Sequence, residues 1–129
     1  MTPERAAAPP SSGAVVDLWR ALTAGHWRRD MPPALRLGRA RLALHALADL
    51  ADASGWIPAE DDVGDDLAVR VARRCALRPE AAARLLAAFT AAGVLVHRGG
   101  GIALTTAVAP DWTAALAALD TVPVPRSAP

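Results

Sequence analysis

In VARRCALRPEAAARLLAAFTAAGVLVHRGGGIALTT, Val71 to Thr106, two helical patterns meet at a tight turn near Cys75–Arg78. Ala82, Leu85, Leu86 and Phe89 recur at helical spacing, and Gly93 follows, the residue type that closes a helix in left-handed backbone. Val94-Leu95-Val96 and Ile102-Ala103-Leu104 are apolar strand-type runs. Gly99-Gly100-Gly101 between them lets the chain reverse at positive φ. The stretch predicts helix, turn, helix, hairpin.

Upstream, Leu67, Ala68, Val71, Ala72 and Cys75 form the inward stripe of the first of these helices. Its start is expected near Asp62, which puts the acidic run of residues 60–66 beside the positive end of the helix dipole. Asp66 and Arg70 are placed as an i,i+4 pair. Trp56-Ile57-Pro58 reads as a very short edge strand, because Pro58 has no N–H to give to a ladder. Before it, one long helix is expected from Pro33 to about Ser54, with Leu37, Ala40, Ala43, Leu44, Leu47, Leu50 and Ala51 on its core face. An N-terminal helix capped by Ser12 carries Val15, Leu18, Trp19 and Leu22 and ends at Gly25. A last helix from Pro110 to Asp120 carries Trp112, Ala115, Leu116 and Leu119. Residues 1–12 and 121–129 are rich in Pro, Ser and Ala without apolar period, so they are expected to be disordered tails around one domain, 13–120.

This order, mostly α with a small β-hairpin wing, resembles the winged helix-turn-helix family of bacterial DNA-binding regulators, in the arrangement of the multiple-antibiotic-resistance repressors. In the family pattern a small residue opens the turn and an apolar residue follows. A Ser/Thr/Arg-rich helix then ends in a sequence such as LEEAGLL. Ala76, Leu77, the helix from Pro79 and Phe89 to Leu95 take those places here, and with the helix from Pro33 the likeness covers about half the chain. The resemblance implies a helix-turn-helix over about 64–92 and a wing over 94–106, with double-stranded DNA as partner. The second helix would enter the major groove while the first braces the phosphates. It also implies a homodimer built by the terminal helices, here through Trp19, Leu22, Trp112 and Leu116.

Removing the core stripe from the second helix leaves Glu80, Ala83, Arg84 and Ala87 facing outward, with Arg78 at the turn. Arg70, Arg73 and Arg74 share an outward sector of the first helix, and Arg98 stands at the base of the wing. These six arginines are the candidate DNA contacts. The chain has no Asn or Gln, so bidentate reading of adenine is excluded, leaving Arg78 or Arg84 to guanine and alanine to a thymine methyl. Glu80, four residues before Arg84, is expected to compete for it. A second reading follows: a winged helix used for protein–protein contact, presenting its alanine-lined helix and acidic run.

The 129 residues suit a single core, and 53% hydrophobic with 21% charged residues is a globular balance. The net charge of +1 conceals three blocks: +5 over 20–41, −7 over 49–66 and +5 over 70–98. One cysteine excludes an internal disulfide, and Cys75 sits in an apolar slot before the turn. No apolar run approaches a membrane span, and a cytoplasmic location is expected. His26, His45 and His97 fall on different predicted elements without metal-ligand spacing to Cys75, and His45 with Asp49 is expected as a surface pair. The acidic run lacks calcium-loop spacing, and the triple glycine precedes a strand where a phosphate cradle needs a helix. Enzyme chemistry, metal and cofactor are therefore not expected.

Overall fold

The computed structural model describes residues 13–36, 39–107 and 109–120. Both terminal segments, with Ser12, and Leu37 of the expected core stripe lie outside them. In chain order the elements are α1 (Ala14–Ala24), α2 (His26–Asp30), α3 (Pro33–Arg36), α4 (Ala40–Leu50), β1 (Trp56–Pro58), α5 (Leu67–Cys75), α6 (Pro79–Ala92), β2 (Leu95–Arg98), β3 (Gly101–Leu104) and α7 (Trp112–Asp120). The protein is mostly helical, with one antiparallel sheet in the order β1-β3-β2. β1 is an edge strand, as its proline requires.

The sheet register places Trp56 opposite Ala103, Pro58 opposite Gly101, and Leu95 opposite Leu104. Ile57 and Leu95 bury their side chains with Leu44, Leu47, Val71, Cys75 and Phe89, so α4, α5, α6 and the sheet share one core. A second focus is aromatic. Trp27 meets Trp19 edge-on at 4.9 Å and Trp112 at 6.0 Å, which ties α1, α2 and α7 together. The indole N–H of Trp19 donates to the Leu44 carbonyl at 2.7 Å, and that of Trp27 to the Ala107 carbonyl at 2.9 Å.

This packing changes how the terminal helices are read. Trp19 is fully buried and Trp112 only 6% exposed within the single chain, so neither offers a surface to a second copy. Leu22 and Leu116 are half-buried against the same core, and only Leu18 of that apolar stripe stands largely free.

Four helix boundaries also differ from the sequence expectation. The long helix from Pro33 is two helices, α3 and α4. α4 stops at Leu50 because the Asp52 carboxylate accepts hydrogen bonds from Ser54 N, Ser54 Oγ and Trp56 N, which commits the backbone to a turn. α1 starts at Ala14 after Gly13 in left-handed backbone. The acidic run is not the first turn of α5: the helix begins at Leu67, and the Asp66 carboxylate caps it by accepting from Val69 N at 3.0 Å.

Candidate nucleic-acid interface

α5 ends at Ala76, whose φ of 55° makes it the one non-glycine residue in left-handed backbone among the described residues. Both Ala76 N and Leu77 N donate to the Ala72 carbonyl, closing the helix, and Pro79 opens α6 three residues later. On α6, Ala82, Ala88, Phe89 and Ala92 are buried, with Leu85 and Leu86 half-buried. Glu80, Ala83, Arg84 and Ala87 are exposed, as their spacing predicts. Gly93 closes α6 at φ 89°, and Val94 N returns to the Phe89 carbonyl at 3.1 Å.

The hairpin turns on two residues, Gly99 and Gly100, both at positive φ. Gly101 belongs to β3, opposite Arg98 on one side and Pro58 on the other. The indole N–H of Trp56 reaches across it to the Arg98 carbonyl at 3.0 Å, and Ala59 N donates to the Gly100 carbonyl at 3.0 Å. The β2–β3 hairpin is thus pinned to β1. A groove of about 570 Å³ separates the hairpin from the start of α5, with His97, Arg98, Asp66, Leu67 and Ile102 among its walls.

The six candidate arginines do not make one face. Arg70 is 8% exposed, and its guanidinium donates to the Pro58 carbonyl at 2.5 Å and to the Asp66 carbonyl at 3.3 Å. Side chains on a helix lean toward its N-terminus, which is where the open end of β1 leaves a carbonyl without a strand partner. Arg70 is therefore a structural brace between β1 and α5, and the expected pairing of Arg70 with the Asp66 carboxylate gives way to this arrangement. Arg73 meets Asp65 at 2.9 Å. Arg74 lies 3.6 Å from Asp49, whose other oxygen is held by Arg20 at 2.7 Å. Arg78, Arg84 and Arg98 are exposed and make no ion pair among the described residues, and the expected Glu80–Arg84 pair does not form.

Sequence reasoning missed Asp65 and Asp49 as the partners of Arg73 and Arg74. The signal existed only in aggregate, as the −7 block of 49–66 set against the arginines of α5. The loop that carries Asp65 is closed by Asp61: its carboxylate accepts from Val63 N at 3.0 Å and Asp65 N at 2.9 Å, and Gly64 N returns to its carbonyl at 3.0 Å. The bond from Asp65 N, followed by that from Val63 N and the charges of Arg70 and Arg73, holds the Asp61 carboxyl below the usual carboxylate range. Among the described residues no group of His, Cys, Asp and Glu is arranged to hold a metal ion.

Because Asp49 is taken by arginines, His45 makes no pair with it. Burial, then the charges of Arg41 and Arg20, push the His45 imidazole pKa down. His26 meets Asp30 at 3.2 Å. Cys75 is buried and burial pushes its thiol pKa up, opposite to the shift that makes a reactive thiolate. No described helix is long and apolar enough to cross a membrane. No protein-family model, curated protein or solved structure matches this chain.

Proposed function

We propose that the protein is a winged helix-turn-helix domain that binds double-stranded DNA, of transcriptional-regulator type, and that it holds the duplex mainly by its phosphates. The observation that carries this reading is the position of Arg78, Arg84 and Arg98, exposed and without an ion pair among the described residues. Arg78 stands at the N-cap position of α6 without a side-chain capping bond, Arg84 lies on the exposed face of α6, and Arg98 ends β2 beside the hairpin tip. A recognition helix entering a groove N-terminus first, with a wing on the flanking backbone, uses those three places. The order β1-β3-β2 and the turn at Ala76 support the same arrangement.

Base reading is thin. The exposed face of α6 offers Glu80, Ala83, Arg84 and Ala87, so Arg84 is the base-reading group and alanine supplies only apolar contact to thymine. Affinity then comes from counterion release and depends steeply on salt. Amide shift mapping with a random-sequence duplex tests the placement. Shifts are expected to gather on residues 78–87 and 97–101 and to spare α1 and α7. Shifts centred on α1 or α7 would refute the assignment.

A second reading is favoured by the neutralised arginines of α5: a protein-contact module that presents the alanine face of α6. On that reading the same duplex titration gives no shifts at about 50 mM salt, where phosphate contacts are strongest. For pairing of two copies through the terminal helices, Leu18 with the exposed edges of Leu22 and Leu116 is the apolar surface left.

A further inference from the structure

We infer that Asp65 and Asp49 set the affinity of this interface by occupying Arg73 and Arg74 as internal stand-ins for phosphate. The inference rests on the duplex-binding reading above. Arg73 and Arg74 are neighbours in the last turn of α5, and their acidic partners come from different elements. Asp65 comes from the loop before the helix, and Asp49 from the end of α4. A helix-turn-helix uses the flank of its first helix against the backbone, so these two carboxylates hold the charges that a phosphate would take.

Both pairs are open to solvent: the side chains are 64% and 30% exposed for Arg73–Asp65 and 48% and 43% exposed for Arg74–Asp49. Exposed pairs are weak and screened by salt, so a phosphate displaces the carboxylate at small cost. The displacement exchanges one anion for another and releases no net counterion at that arginine. The two arginines are therefore silent in salt dependence as well as reduced in affinity.

The two brakes differ in strength. Arg73–Asp65 is a direct hydrogen bond, and Asp65 is aimed by the loop that Asp61 closes. Arg74 stands off at 3.6 Å from a carboxylate that Arg20 holds at 2.7 Å, so Asp49 is shared and its hold on Arg74 is looser. Releasing Asp65 should thus raise affinity more than releasing Asp49.

The test uses the full chain with Asp65→Asn, Asp49→Asn, Arg73→Ala, the double change Asp65→Asn with Arg73→Ala, and Asp62→Asn. Asp62 is exposed, carries the same charge nearby and pairs with no arginine among the described residues, so it controls for net charge. Affinity is read by anisotropy on a random duplex and by the salt needed for elution from heparin, a polyanion without duplex shape. Asp65→Asn is expected to tighten duplex binding about two- to fivefold at low salt, the size of an exposed ion pair, and to steepen the log–log salt slope by about 0.9. It should elute from heparin later than Asp62→Asn, with the gain gone in the double change. Equal gains for Asp65→Asn and Asp62→Asn, or a gain that survives Arg73→Ala, would overturn the inference. Heparin gains that depend on Arg73, with no variant binding duplex, leave the brake standing and refute the DNA reading. Wild-type duplex binding with no Asp65→Asn gain does the reverse.

Discussion

The indole of Trp56 lies across Gly101 in the adjacent strand, so close that a Cβ on residue 101 would stand 2.6 Å from the ring and against the Ile57 carbonyl oxygen. The backbone oxygen cannot step aside as a flexible side chain would. Gly101→Ala is therefore expected to destabilise the protein by about 2–3 kcal/mol, at the upper range of overpacked sites. Gly100 has open space around its Cβ position and only a positive φ, so Gly100→Ala should cost about 1 kcal/mol. Urea unfolding of the two variants measures the difference, and equal costs would contradict the Trp56–Gly101 contact.

Ala76 holds the turn between α5 and α6 at φ 55° with its side chain exposed. Left-handed backbone costs an alanine roughly 1–2 kcal/mol, part of which glycine gives back through its freer unfolded chain. Ala76→Gly should thus stabilise by about 0.5–1 kcal/mol in the same unfolding assay. A destabilised variant would mean that the turn is not left-handed.

Trp19 and Trp112 differ in one bond. Trp19 Nε1 donates to Leu44, whereas the Trp112 Nε1 is buried with no partner among the described residues. Trp19→Phe loses volume and a hydrogen bond, about 2–3 kcal/mol together, while Trp112→Phe also removes an unsatisfied donor and should cost less. Both losses are expected to be independent of protein concentration, since both rings pack within one chain. Concentration-dependent melting in either variant would show that they pack between copies.

His45, Asp52 and Asp61, whose folded pKa values are all lowered, give the stability a pH dependence on the acid side. The folded His45 imidazole has a lowered pKa, so the unfolded chain binds more protons once pH falls below about 6.5. Its contribution is whole above that pH and is lost as pH falls toward the folded value. His45→Gln should flatten the stability profile in that window. Asp61, also lowered, contributes above the ordinary carboxylate range and loses its contribution as pH falls through its folded value, opening the loop that aims Asp65. Thermal melts from pH 7 to 3, on wild type, His45→Gln and Asp61→Ala, separate the contributions of His45 and Asp61.

What the sequence disclosed and what it hid divide along physical lines. The turn at Ala76, the cap at Gly93, the hairpin and the edge strand were legible because each rests on backbone preferences of Gly, Pro and small residues within a few positions. The buried faces of α5 and α6 were legible from period alone. The arginines were not. A helical wheel gives the sector of Arg70 but not the reach of a long side chain, and Pro58, whose carbonyl it binds, is twelve residues away. The pairings of Arg73 with Asp65 and of Arg74 with Asp49 join separate elements, which no local spacing reports. The break between α3 and α4 was hidden by an apolar pattern that runs through both.

Under the proposed function, Arg78 and Arg98 hold duplex DNA by its phosphates while Arg84 reaches a base edge. Fluorescence anisotropy on a random duplex between about 50 and 200 mM salt, with wild type and the triple change of these arginines to alanine, tests it most directly. For two phosphate-bound arginines per chain the wild-type log–log slope is expected to be about −2, roughly −0.9 for each phosphate. The triple variant should bind at least about tenfold more weakly at low salt, with its slope flattened toward zero. Wild-type binding absent at about 50 mM salt, or a triple variant that binds as wild type does, would show that these arginines do not hold a duplex.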